Sequence, residues 1–119
     1  MTEQSPAILI IEDEPLISMM LEDFLDSLGY RVAGTADSVS SALALVETGE
    51  FDAAILDVHL RGGEPSWPVA DALAARGRSF VIATGGSGDV RPERHGDAPV
   101  LPKPFTMDGV KAAVDKLIS

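Results

Sequence analysis

The chain has 119 residues, which suits a single domain of about 100–200 residues with one core. A hydrophobic share of 45% and a charged share of 24% are typical of a globular protein. The absence of cysteine excludes disulfides, iron–sulfur clusters, thiolate zinc sites and a cysteine nucleophile. The net charge of -10 disfavours nucleic acid as a partner, because an acidic surface repels phosphates. No apolar run approaches the roughly 20 residues of a membrane span, and the polar start does not resemble a signal peptide, so we expect a cytoplasmic protein without membrane contact.

Short apolar runs alternate with amphipathic segments along the whole chain. The first run, residues 7–11, is uninterrupted, as expected for a strand covered on both faces, whereas the run at 30–36 is a weaker strand signal. The amphipathic segments repeat apolar residues every three or four positions, as helices do. In chain order, the sequence predicts a strand at 7–11, a helix at 14–28, a strand at 30–36, a helix at 38–48, a strand at 52–57, a helix at 66–76, strands at 79–84 and 99–101, and a helix at 106–118.

The segment between residues 87 and 98 breaks this regularity. Two glycines and a proline interrupt an almost wholly polar stretch with no apolar face. We therefore expect a short or frayed helix there, or an ordered loop.

Five strands alternating with helices imply parallel strand–helix–strand units with right-handed crossovers. At this length we expect an α/β fold of the flavodoxin-like (βα)5 type, with a doubly wound parallel five-stranded sheet in the order 2-1-3-4-5. Residues 1–119 would form this single domain. Ligands bind such sheets at the carboxyl ends of the strands, where the strand order reverses, which here lies between the first and third strands.

Polar side chains collect at this edge of the predicted sheet. Glu12, Asp13 and Glu14 follow the first strand, and Asp57 ends the third. A divalent cation would relieve the repulsion among these carboxylates, and a set of oxygen ligands favours Mg²⁺ over zinc. Thr84 ends the fourth strand and Lys103 follows the fifth, so both could hold an anionic group at the same site. Each residue alone suits a cap, a turn or a solvated surface, but together they have the composition of a phosphoryl acceptor.

Four motifs make the sequence resemble a response-regulator receiver domain of two-component signalling. They are ILIIEDEP at residues 8–15, AAILDVHL at 53–60, IATG at 82–85 and LPKPFT at 101–106, and their spacing fits over the whole chain. The resemblance implies that Asp57 accepts a phosphoryl group from a sensor histidine kinase or a phosphotransfer protein. Because no output domain follows, it also implies a stand-alone receiver that switches its interaction with a downstream protein.

The resemblance implies a role for each site residue. The implied metal ligands for Mg²⁺ are Asp13, Asp57 and the backbone carbonyl of His59, with Glu12 acting through water, and the implied contacts with the phosphoryl group come from Thr84 and Lys103. The Lys103–Pro104 peptide bond is expected to be cis. Such a domain transfers the group onto itself and later hydrolyses it, so it has no separate substrate and is not an enzyme in the usual sense.

Three positions depart from the family's pattern. Val100 stands where receivers usually carry an aromatic switch residue, Arg61 replaces a proline after the phosphorylation loop, and Gly85-Gly86 follows the threonine in place of alanine. The stretch SFVIATGG is partly similar to the PFxFATGY signature of alphaproteobacterial stand-alone receivers, which are associated with a pliable fourth helix. An output surface at 87–98 that orders on phosphorylation is a matching hypothesis. We expect a monomer, because the usual dimer surface includes this irregular segment.

Other functions fit the residues less well. An aspartyl-phosphate hydrolase needs a DxD motif after the first strand, where this chain has Glu12-Asp13-Glu14. A flavodoxin-like cofactor carrier needs a phosphate-binding loop at that place, where carboxylates repel phosphate. A receiver-shaped binding module that works without phosphorylation stays open because of Val100. Of the remaining side chains, Trp67 is interpreted as a partly buried anchor of the third helix and His95 as a solvated loop residue.

Overall fold

A computed structural model of the chain describes residues 5–84 and 92–118. Its strands are β1 (Ala7–Ile11), β2 (Arg31–Ala36), β3 (Ala53–Asp57), β4 (Ser79–Thr84) and β5 (Val100–Pro102), and its helices are α1 (Pro15–Ser27), α2 (Val39–Thr48), α3 (Trp67–Ala75) and α4 (Met107–Ile118). All five strands are parallel, in the order β2-β1-β3-β4-β5. This confirms the predicted fold class, with every strand and helix end within one residue of its prediction. In these two ranges no helix is long and apolar enough to span a membrane.

Helices cover both faces of the sheet. On β1, Ile8 and Ile10 belong to the core beneath α1 and α4, whereas Leu9 and Ile11 belong to the core beneath α2 and α3. Successive side chains of a strand point to opposite faces, so both sets are buried only because both faces are covered. This double burial explains why the central strands β1 and β3 are buried along their whole length and carry polar residues only at their ends, whereas the edge strand β2 is partly exposed.

Local sequence signals set the helix ends. The Ser38 side chain accepts a hydrogen bond from the Ser41 backbone N–H at 3.2 Å and caps α2. Thr106 Oγ1 accepts one from the Gly109 N–H at 3.0 Å at the start of α4. Gly29 follows α1 with a φ of +89°, a conformation that strains any residue with a Cβ atom. These ends were predictable because each depends on residues close together in the chain.

The connection from β4 to β5 is described from Pro92 onward. Glu93–His95 form one turn of 3-10 helix, while the other part of the prediction for 87–98 lies outside the described residues. The interpretation of His95 as a solvated residue is wrong, since the residue is buried, with 6% exposure. Its ring is covered by Trp67 and Phe80, which lie far from it in the sequence. Trp67 is itself half-buried against the core, as predicted.

The two faces of α1 should respond differently to truncation. Leu25 is completely buried, so Leu25→Ala leaves a cavity and should lower the free energy of unfolding by about 2–5 kcal/mol. Leu16, on the same helix, is 79% exposed, and Leu16→Ala should change it by no more than about 0.5 kcal/mol. Urea unfolding followed by circular dichroism measures both variants. Equal losses would contradict this assignment of the helix faces.

Candidate functional site

The carboxylates after β1 and β3 meet at one edge of the sheet. The register pairs Ile11 with Leu56, so the residue that follows each, Glu12 and Asp57, lies beside the other. Glu12, Asp13 and Asp57 each offer a carboxylate oxygen, and these oxygens lie within 4.8 Å of one another. Glu12 and Asp57 are buried and Asp13 is half-buried. The structure therefore assembles the acidic cluster that the sequence predicts between the first and third strands.

Lys103, directly after β5, places its ammonium group against this cluster. Its Nζ donates a hydrogen bond to Asp57 Oδ1 at 3.1 Å and lies 3.5 Å from Glu12 Oε1. Its backbone N–H donates to the carbonyl oxygen of Thr84 at 3.0 Å, which ties the ends of β4 and β5 together. The Lys103–Pro104 peptide bond is cis.

Burial and neighbouring charge determine the protonation of these groups. Burial, and then repulsion from Asp57, raise the pKa of Glu12 to about 7. Burial alone would lower the pKa of Lys103, but attraction to the carboxylates of Asp57 and Glu12 outweighs it and raises that pKa. The site thus keeps a permanent ammonium group beside a carboxyl group that ionises reluctantly without a cation.

The carboxylate oxygens have the chemistry of a cation site. Glu12 Oε2 accepts a hydrogen bond from the Glu14 N–H at 3.1 Å, whereas the buried Oε1 has no hydrogen-bond partner among residues 5–84 and 92–118. This buried oxygen has the Lys103 ammonium group 3.5 Å away but no hydrogen bond, and a bound cation would satisfy it. Three carboxylates with no nitrogen or sulfur ligand suit a hard divalent ion, so this group of residues fits Mg²⁺.

Asp57 is held in place yet keeps some exposure. Its Oδ1 accepts a hydrogen bond from the Val58 N–H at 2.9 Å in addition to the one from Lys103. The side chain is 11% exposed, which leaves a small part of the carboxylate within reach of a reactant. A fixed, accessible carboxylate beside an ammonium group can act as a nucleophile toward an anionic group.

Two of the implied contacts stay predictions. Thr84 is half-buried at the end of β4, and its backbone carbonyl meets Lys103, but the role of its hydroxyl is untested. His59 has an exposed side chain two residues after Asp57, and the role of its backbone carbonyl as a metal ligand is likewise untested. Val100, at the position where the resembled family usually carries an aromatic switch residue, is 43% exposed on β5.

One contact near the site was not anticipated from the sequence. Arg61, in the loop after β3, forms an ion pair with Asp37, which follows β2. The Arg61 N–H also donates to the carbonyl oxygen of Asp37 at 2.9 Å. The two residues are 24 positions apart, so no local pattern links them. Together these bonds tie the loop that follows Asp57 to the end of the edge strand β2, across β1.

Comparison with known proteins decides the family. The family model described as "Response regulator receiver domain" matches residues 8–115. The chain belongs to this family of receiver domains. The predicted resemblance is thereby confirmed, and the match covers all the elements that build the site.

Known proteins similar to this receiver include a curated regulator and a receiver of solved structure. The transcriptional regulatory protein PdtaR of Mycobacterium tuberculosis H37Rv is 30% identical over 115 residues, which make up 94% of this chain and 56% of that protein. The chain spans about half the length of the curated relatives it matches. The solution structure of SdrG from Sphingomonas melonis Fr1 is 60% identical, with a TM-score of 0.86 over 99% of this chain and 100% of that one.

A second solved structure concerns an activated state. The solution structure of the BeF3-activated conformation of SdrG from Pseudomonas melonis Fr1 is 63% identical to this chain. The TM-score is 0.81, over 95% of this chain and 96% of that one.

The raised pKa of Glu12 predicts a pH dependence of the metal-free receiver. Between the ordinary pKa of 4.5 and about 7, folded Glu12 keeps a proton that the unfolded chain has lost. The free energy of unfolding should therefore fall as pH rises through this window, with the full loss above pH 7. Glu12→Gln should remove that part of the slope in urea unfolding measured in EDTA. An unchanged slope in the variant would show that Glu12 is not its source.

Proposed function

We propose that this receiver accepts a phosphoryl group on Asp57, with Mg²⁺ as cofactor, from a histidine kinase or a phosphotransfer protein. The observation that carries the proposal is the contact of the Asp57 carboxylate with the Lys103 ammonium group inside a cluster of carboxylates. The BeF3-activated conformation of SdrG, a protein 63% identical to this chain, supports the same chemistry here, because beryllofluoride imitates a phosphoryl group on an aspartate.

The reaction uses Asp57 as its nucleophile. A carboxylate oxygen attacks the phosphorus in line with the phosphorus–nitrogen bond of the donor's phosphohistidine. The new oxygen–phosphorus bond forms as that bond breaks, and the donor imidazole leaves and takes up a proton. Lys103, held 3.1 Å from Asp57 Oδ1, neutralises negative charge on the group being transferred.

Asp13 and Asp57 would hold the Mg²⁺ ion together with the predicted backbone carbonyl of His59, and Glu12 would support it through water. When bound, Mg²⁺ would neutralise negative charge on the oxygens of the phosphoryl group. Since the pKa of Glu12 is raised to about 7 in the metal-free protein, this carboxyl group must lose its proton before it can support the ion. Cation binding should therefore weaken as the solution becomes acidic.

Phosphorylation would change how the receiver binds a downstream protein. In the proposed activated state the Thr84 hydroxyl donates a hydrogen bond to the phosphoryl group. Because the Thr84 carbonyl accepts the N–H of Lys103, movement of either residue would displace the other. The domain acts on itself and has no separate substrate. The stand-alone organisation, the monomeric state and the cytoplasmic location stay predictions.

Phosphoryl acceptance is tested directly with a small donor. With Mg²⁺ and acetyl phosphate, the protein should gain the mass of one phosphoryl group, and Asp57→Asn or EDTA should abolish the gain. Asp52→Asn is the matched control, because Asp52 precedes the opposite end of β3 and its carboxylate accepts the N–H of Ala7, the first residue of β1, at 2.7 Å. Intact-mass spectrometry measures all samples. If the wild-type protein gains no mass, the phosphoacceptor proposal fails, and a phosphorylation-independent binding module becomes the better explanation.

Lys103 should affect the rate of transfer more than binding of the metal. Lys103→Met removes a preorganised positive donor, and a loss of about 10²–10³-fold in rate is expected for such a group. Lys111→Met is the control, because Lys111 is exposed on α4 and pairs with Asp115 away from the site. The initial rate of phosphoryl incorporation at saturating Mg²⁺ distinguishes them. Equal rates in both variants would contradict a role for Lys103 in the transfer.

A further inference from the structure

A second cluster of interacting side chains lies apart from the phosphoacceptor. The ring of His95 stacks on Trp67 at a centroid distance of 6.2 Å and an angle of 21°, and meets Phe80 edge-on at 5.8 Å and 74°. His95 Nε2 lies 2.7 Å from Asp71 Oδ1. We call Trp67, Asp71, Phe80 and His95 the histidine cluster. Aromatic stacking and a bond to a carboxylate together hold a buried imidazole in one orientation.

The histidine cluster joins three elements. Trp67 and Asp71 belong to α3, Phe80 belongs to β4, and His95 belongs to the 3-10 turn that precedes β5. In the same turn, Arg94 donates two hydrogen bonds to Asp71, at 2.7 and 3.1 Å. The turn is thus fastened to α3 by a bidentate ion pair, by the contact between the imidazole and Asp71, and by a ring stack. These three contacts hold the turn in a fixed position against α3, which a solvated loop would not need.

Two backbone steps connect the histidine cluster with the phosphoacceptor. The Val58 N–H donates to Asp57 Oδ1 at 2.9 Å, and the carbonyl oxygen of Val58 accepts the N–H of Ser66 at 2.8 Å. Ser66 immediately precedes Trp67, the first residue of α3. A change in the bonding of Asp57 Oδ1 therefore reaches the start of α3 through very few contacts.

The start of α3 also carries an unsatisfied group. Ser66 is completely buried, and its hydroxyl has no hydrogen-bond partner in the described part of the chain. A buried hydroxyl without a partner disfavours the arrangement that contains it, so a shift that provides a partner would be stabilising. This end of α3 has a physical reason to adopt a second position.

We propose that the histidine cluster couples the state of Asp57 to the turn that precedes β5. This inference rests on the proposed function. Phosphorylation changes the bond between Val58 and Asp57, the start of α3 shifts, and Trp67 moves against His95. The turn then follows, because His95 and Arg94 are both fastened to α3. Val100, exposed on β5, is not part of this route.

The coupling is measured through Trp67, the single tryptophan of the chain. Amide and indole NMR spectra are recorded with Mg²⁺, before and after addition of beryllofluoride. We expect the Trp67 indole signal and the His95 amide signal to shift together with the amide of Val58. In Asp57→Asn none of the three should shift.

Two variants distinguish the aromatic stacking of His95 from its hydrogen bond to Asp71. His95→Phe keeps an aromatic ring but loses the contact with Asp71, and His95→Gln keeps a hydrogen-bond donor but loses the stack. Each should release the turn from α3, so that activation no longer has to move the turn, and the half-saturating concentration of beryllofluoride should fall about fivefold. A merely structural His95 would lower the melting temperature and leave that concentration unchanged.

Arg76→Gln is the control variant. Arg76 is exposed at the carboxyl end of α3, outside the histidine cluster, and its replacement should change neither the indole response nor the half-saturating concentration. If the His95 variants do not fold, Asp71→Asn serves instead, because its side chain is 46% exposed and binds both His95 and Arg94.

The outcomes distinguish this inference from the proposed function. Shifts at Val58 and Asp13 with unchanged Trp67 and His95 signals would overturn the coupling and leave the phosphoacceptor intact. An unchanged half-saturating concentration in the variants that fold would also overturn the coupling. No shift at any of these positions would contradict both the coupling and the proposed function.

Discussion

The crowding of negative charge at one edge of the sheet is the constraint on which the site depends. Glu12, Asp13 and Asp57 bring their oxygens within 4.8 Å, and two of the three residues are buried. Isolated in a low-dielectric environment, such a group would bind protons and lose its charge. Burial, and then repulsion from Asp57, raise the pKa of Glu12. Among the described residues, the ammonium group of Lys103 supplies the compensating positive charge. A bound divalent cation would complete the charge balance.

The architecture makes this crowding possible. Strands covered on both faces must be apolar along their length, so polar groups can stand only where the strands end. The order β2-β1-β3-β4-β5 places the ends of β1 and β3 side by side, and β5 brings Lys103 to the same edge through its pairing with β4. Glu12 is buried at this edge, and burial, followed by repulsion from Asp57, raises its pKa.

Contacts beyond the site connect it to the rest of the domain. The pair of Arg61 and Asp37 ties the loop after β3 to the end of β2. The histidine cluster ties the start of α3 to the turn before β5. Each involves a connection between elements, the loop after β3 or the turn before β5, and connections are the more mobile parts of a fold. In the proposed coupling, these side chains, and not the exposed valine on β5, would carry the state of Asp57 to the surface.

The sequence by itself determined the elements, their order along the chain, and the carboxylates and lysine that the structure brings together. Apolar periodicity and end signals such as Ser38 act over a few residues, and Asp57 and Lys103 were found because each stands where a strand ends. Only the tertiary structure decided what depends on distant partners. His95 looks like a loop residue in the sequence, yet it is buried against Asp71, 24 positions away, and the raised pKa of Glu12 comes from burial and a neighbouring strand. Burial and charge proximity belong to the packed chain, and no local pattern records them.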